Sequence, residues 1–138
     1  IDKENIGKFL EKITCPIYFL DFESFQSPIP PFDDSKPYEQ LVFQYSLHYL
    51  EAEDGDLKHK AFLAYPGADP RRKLAEQLCE DIPKDVCVTA YNRSFERTCI
   101  KRLTVIYPDL AEHLMNIHDN SVDLLIPLQK RYYNIFWF

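Results

Sequence analysis

An apolar run, Pro16-Ile-Tyr-Phe-Leu20, leads directly into Asp21-Phe22-Glu23. The stretch Ile17 to Phe22 is apolar on both parities apart from its acid, the pattern of a strand buried on two faces at the centre of a sheet. Residues two apart on a strand share a face, so Asp21 and Glu23 point the same way at one strand end. Carboxylates beside a buried strand are costly unless they are paired or ligate a metal. The segment therefore predicts a cationic or donating group between them. A metal ion is one source; loop amides or an arginine at a sheet end are the other.

A third acid bears on that choice. Val86-Cys-Val-Thr-Ala-Tyr91 is β-branched and short, a strand by composition, and Asn92 to Ser94 is a turn-and-cap cluster opening a helix. The helix has apolar positions at Phe95, Cys99, Ile100, Leu103, Ile106 and Tyr107, at helical spacing. Glu96 falls inside that stripe and is expected to face the core. The helix dipole favours an acid in the first turn, yet a core-facing carboxylate still needs a partner. An ion pair with a neighbouring basic side chain would satisfy it, and so would a metal.

Asp-x-Glu ending a first central strand, followed later by a strand and then Asn92-Arg-Ser-Phe-Glu96, resembles the DEDD-type 3′–5′ exonucleases of the ribonuclease H-like superfamily. Tyr18-Phe-Leu-Asp-Phe-Glu23, Pro37 to His48, Asp69-Pro-Arg71 and Ala90 to Glu96 are similar to a bacterial branch of it described as a domain of unknown function. The likeness runs over nearly the whole chain. Its motifs are short, and their order and context carry the specificity.

The resemblance implies a ribonuclease H-like α/β fold: a mixed sheet of about five strands flanked by helices, truncated at its C-terminal end. It also implies hydrolysis of DNA or RNA phosphodiesters by a two-metal mechanism, with ions about 3.5 to 4 Å apart. Oxygen-only ligands favour Mg²⁺ or Mn²⁺. Asp21 would bridge both ions, Glu23 would hold the one that activates water, and Glu96 would help place the second. Most relatives carry Asp where Glu96 stands, which alters reach by a methylene. The family's fourth acid follows a His or Tyr by four or five residues. His118 and Asp123 have that spacing but lie close behind Glu96, so Asp123 is expected at a supporting position beside the metal ligands. The fourth acid and general base are then expected past Phe138, in a longer protein with other domains. Asn92, with Tyr91 before it, stands where relatives touch substrate. The alternative is a ribonuclease H-like module without catalysis, serving binding or regulation.

Composition sets the outer bounds. With 138 residues, 46% of them hydrophobic, the chain can bury one sizeable core, and residues 1–138 are expected to form one domain. A net charge of −6 excludes a globally basic nucleic-acid binder. Arg93, Arg97 and Lys101 nevertheless form a stripe on the Glu96 helix, either a guide for a phosphate backbone or a solvated face. Arg71, Arg72 and Lys73 are equally ambiguous. Cys15, Cys79, Cys87 and Cys99 show no metal spacing and read as free thiols, with Cys87 and Cys99 buried, in a reducing cytoplasmic setting. No apolar run is long enough to span a bilayer, so no membrane partner is expected.

Along the chain, five strands and three helices are expected. Ser27 to Pro37 is a proline-rich loop. Leu41 to Leu50 alternates, with Phe43, Tyr45, Leu47 and Tyr49 opposite Gln44, Ser46 and His48. Lys58 to Ala64 returns as its hairpin partner. Asp69 and Pro70 open a helix with Leu74, Leu78 and Ile82 on its core face. A last helix spans about Asp109 to Asn116, and Val122 to Leu128 reads as strand or short helix. His48 lies on the polar strand face with Gln44, where a hydrogen-bonded structural histidine is the expectation and a place lining the cleft is the alternative.

Overall fold

A computed structural model describes residues 1–133. Strand β1 (Ile17–Phe25) pairs antiparallel with β2 (Leu41–Leu50), which pairs antiparallel with β3 (Lys58–Leu63). The chain then crosses through helix α2 (Arg71–Asp81) to β4 (Cys87–Ala90), parallel to β1. Helix α3 (Ser94–Ile106), a 3-10 turn (Pro108–Leu110) and helix α4 (Ala111–Asp119) lead to β5 (Ser121–Asp123), parallel to β4, and to the short α5 (Ile126–Gln129). The result is a mixed α/β fold with five strands in the order β3-β2-β1-β4-β5. The strand bearing Asp21 and Glu23 is central, as its apolar run predicts.

One sheet face holds the core. Tyr18, Leu20 and Phe22 of β1 and Tyr45 and Leu47 of β2 pack with Leu74 and Leu78 of α2, Ile100 and Leu103 of α3, and Leu114 and Ile117 of α4. At about 2 kcal/mol for each fully buried large aliphatic chain, these contacts supply the main drive for folding. Tyr45, inside that core, donates its hydroxyl hydrogen to Asp81 Oδ2 at 2.6 Å, and Lys60 reaches Asp81 Oδ1 at 3.1 Å. On the opposite face Thr89 of β4 is fully buried, whereas Asp21, Glu23, His48, His59 and Ala61 are exposed. That face is thus covered beside β4 and at the start of β1, where Ile17 is buried, and open across the acidic part of β1 and across β2 and β3.

Several expectations are corrected. The two acids of β1 are exposed, so burial does not force a cation between them. Parity fixes which face they share, while cover over that face depends on elements far away in sequence. Phe43 does not join the core face. The β1–β2 register shifts between Glu23 and Ser24, so that Gln44 pairs with Glu23 and Val42 with Ser24. The extra residue is Phe43, turned towards Phe25, and Val42 takes the buried place at 3% exposure.

Helix α1 (Lys3–Leu10) is an addition, opened by Asp2, whose Oδ1 accepts the Asn5 amide at 3.0 Å. It buries only Phe9, too thin a stripe for periodicity to reveal. The last long helix starts and ends later than expected, and the closing segment contains both a strand and a short helix. The chain end at 134–138, and the fourth acid expected past it, lie outside the described residues.

Two of the three basic residues that open α2 have internal duties, while Lys73 is exposed. Arg71 is only 4% exposed; Asp69 accepts its amide at 3.0 Å and also holds its guanidinium, which reaches the Asp33 carbonyl. Arg72 pairs with Glu76 and Asp109. All four cysteines are free; Cys99 is buried, which pushes its thiol up to about 12, while Cys87 is only half-buried. Among the described residues no helix is long and apolar enough to cross a membrane.

Candidate functional site

The carboxyl ends of β4 and β5 meet beside the middle of β1, where strand ends usually place a site in an open α/β sheet. Pairing of β1 with β4 stops at Phe19 and Thr89, while β1 continues beside β2 to Phe25. From Leu20 onward the β4-facing edge of β1 has no strand partner. The turn after β4 and the first turn of α3 enter there.

Glu96 arrives by that route. It is 5% exposed, and its Oε2 is buried without a hydrogen-bond partner. Burial pushes its carboxyl up to about 7. The backbone amides of Glu96 itself and of Phe22 oppose the rise, while negative charge on Asp21 and Asp123 adds to it. Phe22 lies between Asp21 and Glu23, so Glu96 sits alongside the acidic end of β1.

Asp123 closes the site from β5, opposite Ala90 of β4. Its Oδ1 accepts the Asn92 amide at 3.0 Å and the Leu125 amide at 2.9 Å. One carboxylate oxygen thereby fastens the β4–α3 turn to the end of β5. Asn92 has φ 60°, a left-handed conformation that Asn tolerates better than most residues, and its Oδ1 accepts the Ser94 hydroxyl hydrogen at 2.8 Å. The reversal it makes allows α3 to start immediately, with Glu96 in the first turn.

Glu23 is exposed opposite Gln44, and Asp21 is exposed opposite Ser46. A cleft of about 490 Å³ opens beside Asp21, lined also by Phe19, Ser46, His48, Tyr91 and Leu124; Glu23 and Glu96 are not part of its wall. Another depression of about 420 Å³, between the proline-rich loop and the end of α3, has none of Asp21, Glu23, Glu96 and Asp123 in its wall.

The basic stripe is largely engaged inside the chain. The Arg93 guanidinium donates to the Ser121 carbonyl, and Arg97 Nε donates to His118 Nε2 at 3.1 Å; Lys101 is exposed. His118 also meets Asp119 at 2.8 Å.

A buried, donor-less carboxylate oxygen within electrostatic reach of two further carboxylates is an oxygen donor set of the type a hard divalent cation takes. Among the described residues, however, no three His, Cys, Asp or Glu side chains are gathered as a group that could hold a metal ion. Asp21 is exposed and Asp123 turns an oxygen to two amides. Glu96 fits such a cation, and Asp21 and Glu23 are the free carboxylates nearest to it along β1.

Sequence reasoning missed one feature here. His48 and His59 are directly opposed on β2 and β3, with ring centroids 4.3 Å apart, and Ser46 Oγ lies 3.0 Å from His59 Nε2. The signal was the hairpin register, since counting back from the Glu51–Leu57 turn pairs the two histidines.

No curated protein and no solved structure matches the chain. The family described as a domain of unknown function (DUF2779) matches residues 18–136, which include Asp21, Glu23, Asn92, Glu96 and Asp123. With the match covering both strand-end motifs and all five strands, the chain belongs to the DUF2779 family.

Proposed function

We propose that this domain is a metal-dependent nuclease module that hydrolyses DNA or RNA phosphodiesters, as a 3′–5′ exonuclease of the DEDD type. The order β3-β2-β1-β4-β5, antiparallel on one side of β1 and parallel on the other, is compatible with a ribonuclease H-like fold. The observation that carries the reading is Glu96: its buried Oε2 lacks a donor and its charge is opposed by Asp21 and Asp123. Asp21, Glu23 and Glu96 would hold Mg²⁺ or Mn²⁺, with Asp123 supporting. The bound ions would supply an activated water and stabilise the leaving oxygen. The chain's own part is to hold Asp21 and Glu23 on β1 and Glu96 in the first turn of α3, with Asn92 and Asp123 fixing the turn from which Glu96 projects. Nucleic acid and further domains of a longer protein are the partners this reading implies.

A second reading, a non-catalytic ribonuclease H-like module for binding or regulation, is favoured by one observation. Among the described residues the carboxylates are not gathered as a ligand group.

Calorimetric titration of Mn²⁺ into the wild type, Asp21→Asn and Glu96→Gln separates them. The nuclease reading expects saturable binding, weakened at least about tenfold in each variant, or about 1.4 kcal/mol. Equal Mn²⁺ affinity in all three proteins, or none in the wild type, favours the non-catalytic module.

A further inference from the structure

We propose that His48 and Ser46, with His59 behind them, form the wall of the Asp21 cleft that receives a nucleotide phosphate; the inference rests on the nucleic-acid reading above. Three observations converge on it.

The first is position. Ser46 is the cross-strand partner of Asp21, and His48 lies one pair further along the same open face, so the donors and the acid border one cleft. The second is the state of the ring. Histidines with structural duties in this chain are visibly engaged: His113 Nε2 lies 2.7 Å from the Ile82 carbonyl, and His118 meets Arg97 and Asp119. His48 is exposed, and among the described residues its nitrogens have no hydrogen-bond partner. Its ring lies against that of His59, which itself meets Ser46. An imidazole oriented by packing, with its polar atoms free, is arranged for a ligand.

The third observation is scarcity. Phosphate oxygens need donors, preferably cationic ones. Arg93 and Arg97 are bound to Ser121 and His118, and His48 is the one imidazole among the side chains lining the cleft. The groups facing it are Asp21 from β1, His59 from β3, Ser46 from its own strand and Tyr91 from the turn after β4. A volume of about 490 Å³ suits one nucleotide. The ligand class is therefore a nucleoside monophosphate, or the terminal nucleotide of a single strand, held by few ionic contacts.

The test is calorimetric titration of adenosine 5′-monophosphate into the wild type, His48→Ala and Ser46→Ala, with and without Mn²⁺, alongside Mn²⁺ titrations of the same proteins. The expected result is saturable nucleotide binding, about tenfold weaker in His48→Ala and weaker by a smaller factor in Ser46→Ala, as for loss of hydrogen bonds to a charged group. Wild-type affinity in His48→Ala overturns the subsite whatever Mn²⁺ does. Should that variant fail to fold, wild-type affinity in Ser46→Ala overturns it instead. No nucleotide binding by the wild type also overturns it, and Mn²⁺ binding in that case leaves the metal reading standing. Nucleotide binding that weakens in His48→Ala while no protein binds Mn²⁺ supports the subsite and removes the nuclease reading.

Discussion

Above pH 7 Glu96 has to hold a negative charge at 5% exposure, with one oxygen unpartnered and two carboxylates nearby. Its folded-state pKa, about 7, lies above the ordinary 4.5, so the native chain binds more protons than the unfolded chain between those values. Stability is therefore highest below about pH 4.5 as far as this group is concerned, falls as pH rises, and has lost its full share above about pH 7. The span of the shift corresponds to about 3 kcal/mol. Glu96→Gln keeps the shape without the charge, so it should match the wild type near pH 4 and exceed it by up to about 3 kcal/mol at pH 8 in urea unfolding. A variant less stable than the wild type at pH 8 would mean that Glu96 has a stabilising partner. The core-facing position of this residue is legible in the sequence, because the apolar stripe of its helix passes through it. The exposure of Asp21 and Glu23 is not, because alternation assigns them a common face without saying what covers that face.

The turn between β4 and α3 depends on Asn92 at φ 60°, where a side chain with a Cβ and no local hydrogen bond is strained. Asn92→Ala should lower stability by about 1 kcal/mol, whereas Asn92→Gly should stay within about half of that, by urea unfolding at constant m. Equal losses in the two variants would place the effect in the Ser94 hydroxyl bond instead of the backbone. Most elements can be read from the sequence, because β1 has a continuous apolar run, β2 alternates and α3 has helical periodicity. Helix α1 escapes with its single buried residue, and the β2 bulge escapes because nothing local marks Phe43 as the extra residue. The His48–His59 pair escapes for a related reason: it exists only once the hairpin register is known.

A single cluster of buried side chains joins β1, β2, β4, α2, α3 and α4. Leu47, fully buried on β2, contributes to it from the strand next to the acids. Leu47→Ala should cost about 3 kcal/mol, with circular dichroism and tyrosine fluorescence giving coincident transitions. Separated transitions would show that the hairpin β2–β3 unfolds apart from the helices. At this scale the sequence predicts the mixed sheet, but the half-covered face arises from long-range packing that no local pattern encodes.

The strand order has a further consequence at its two margins. One rim of the sheet is β5, only three residues long, and the other is β3, which carries Lys58 and Lys60. Lys58 is held by Glu51, and Lys60 points its charge towards Asp81 on the helix side. A strand from another molecule docking on β3 would meet these charges, and β5 offers too short a template for one to zip onto. Among the described residues both rims thus disfavour sheet extension between copies.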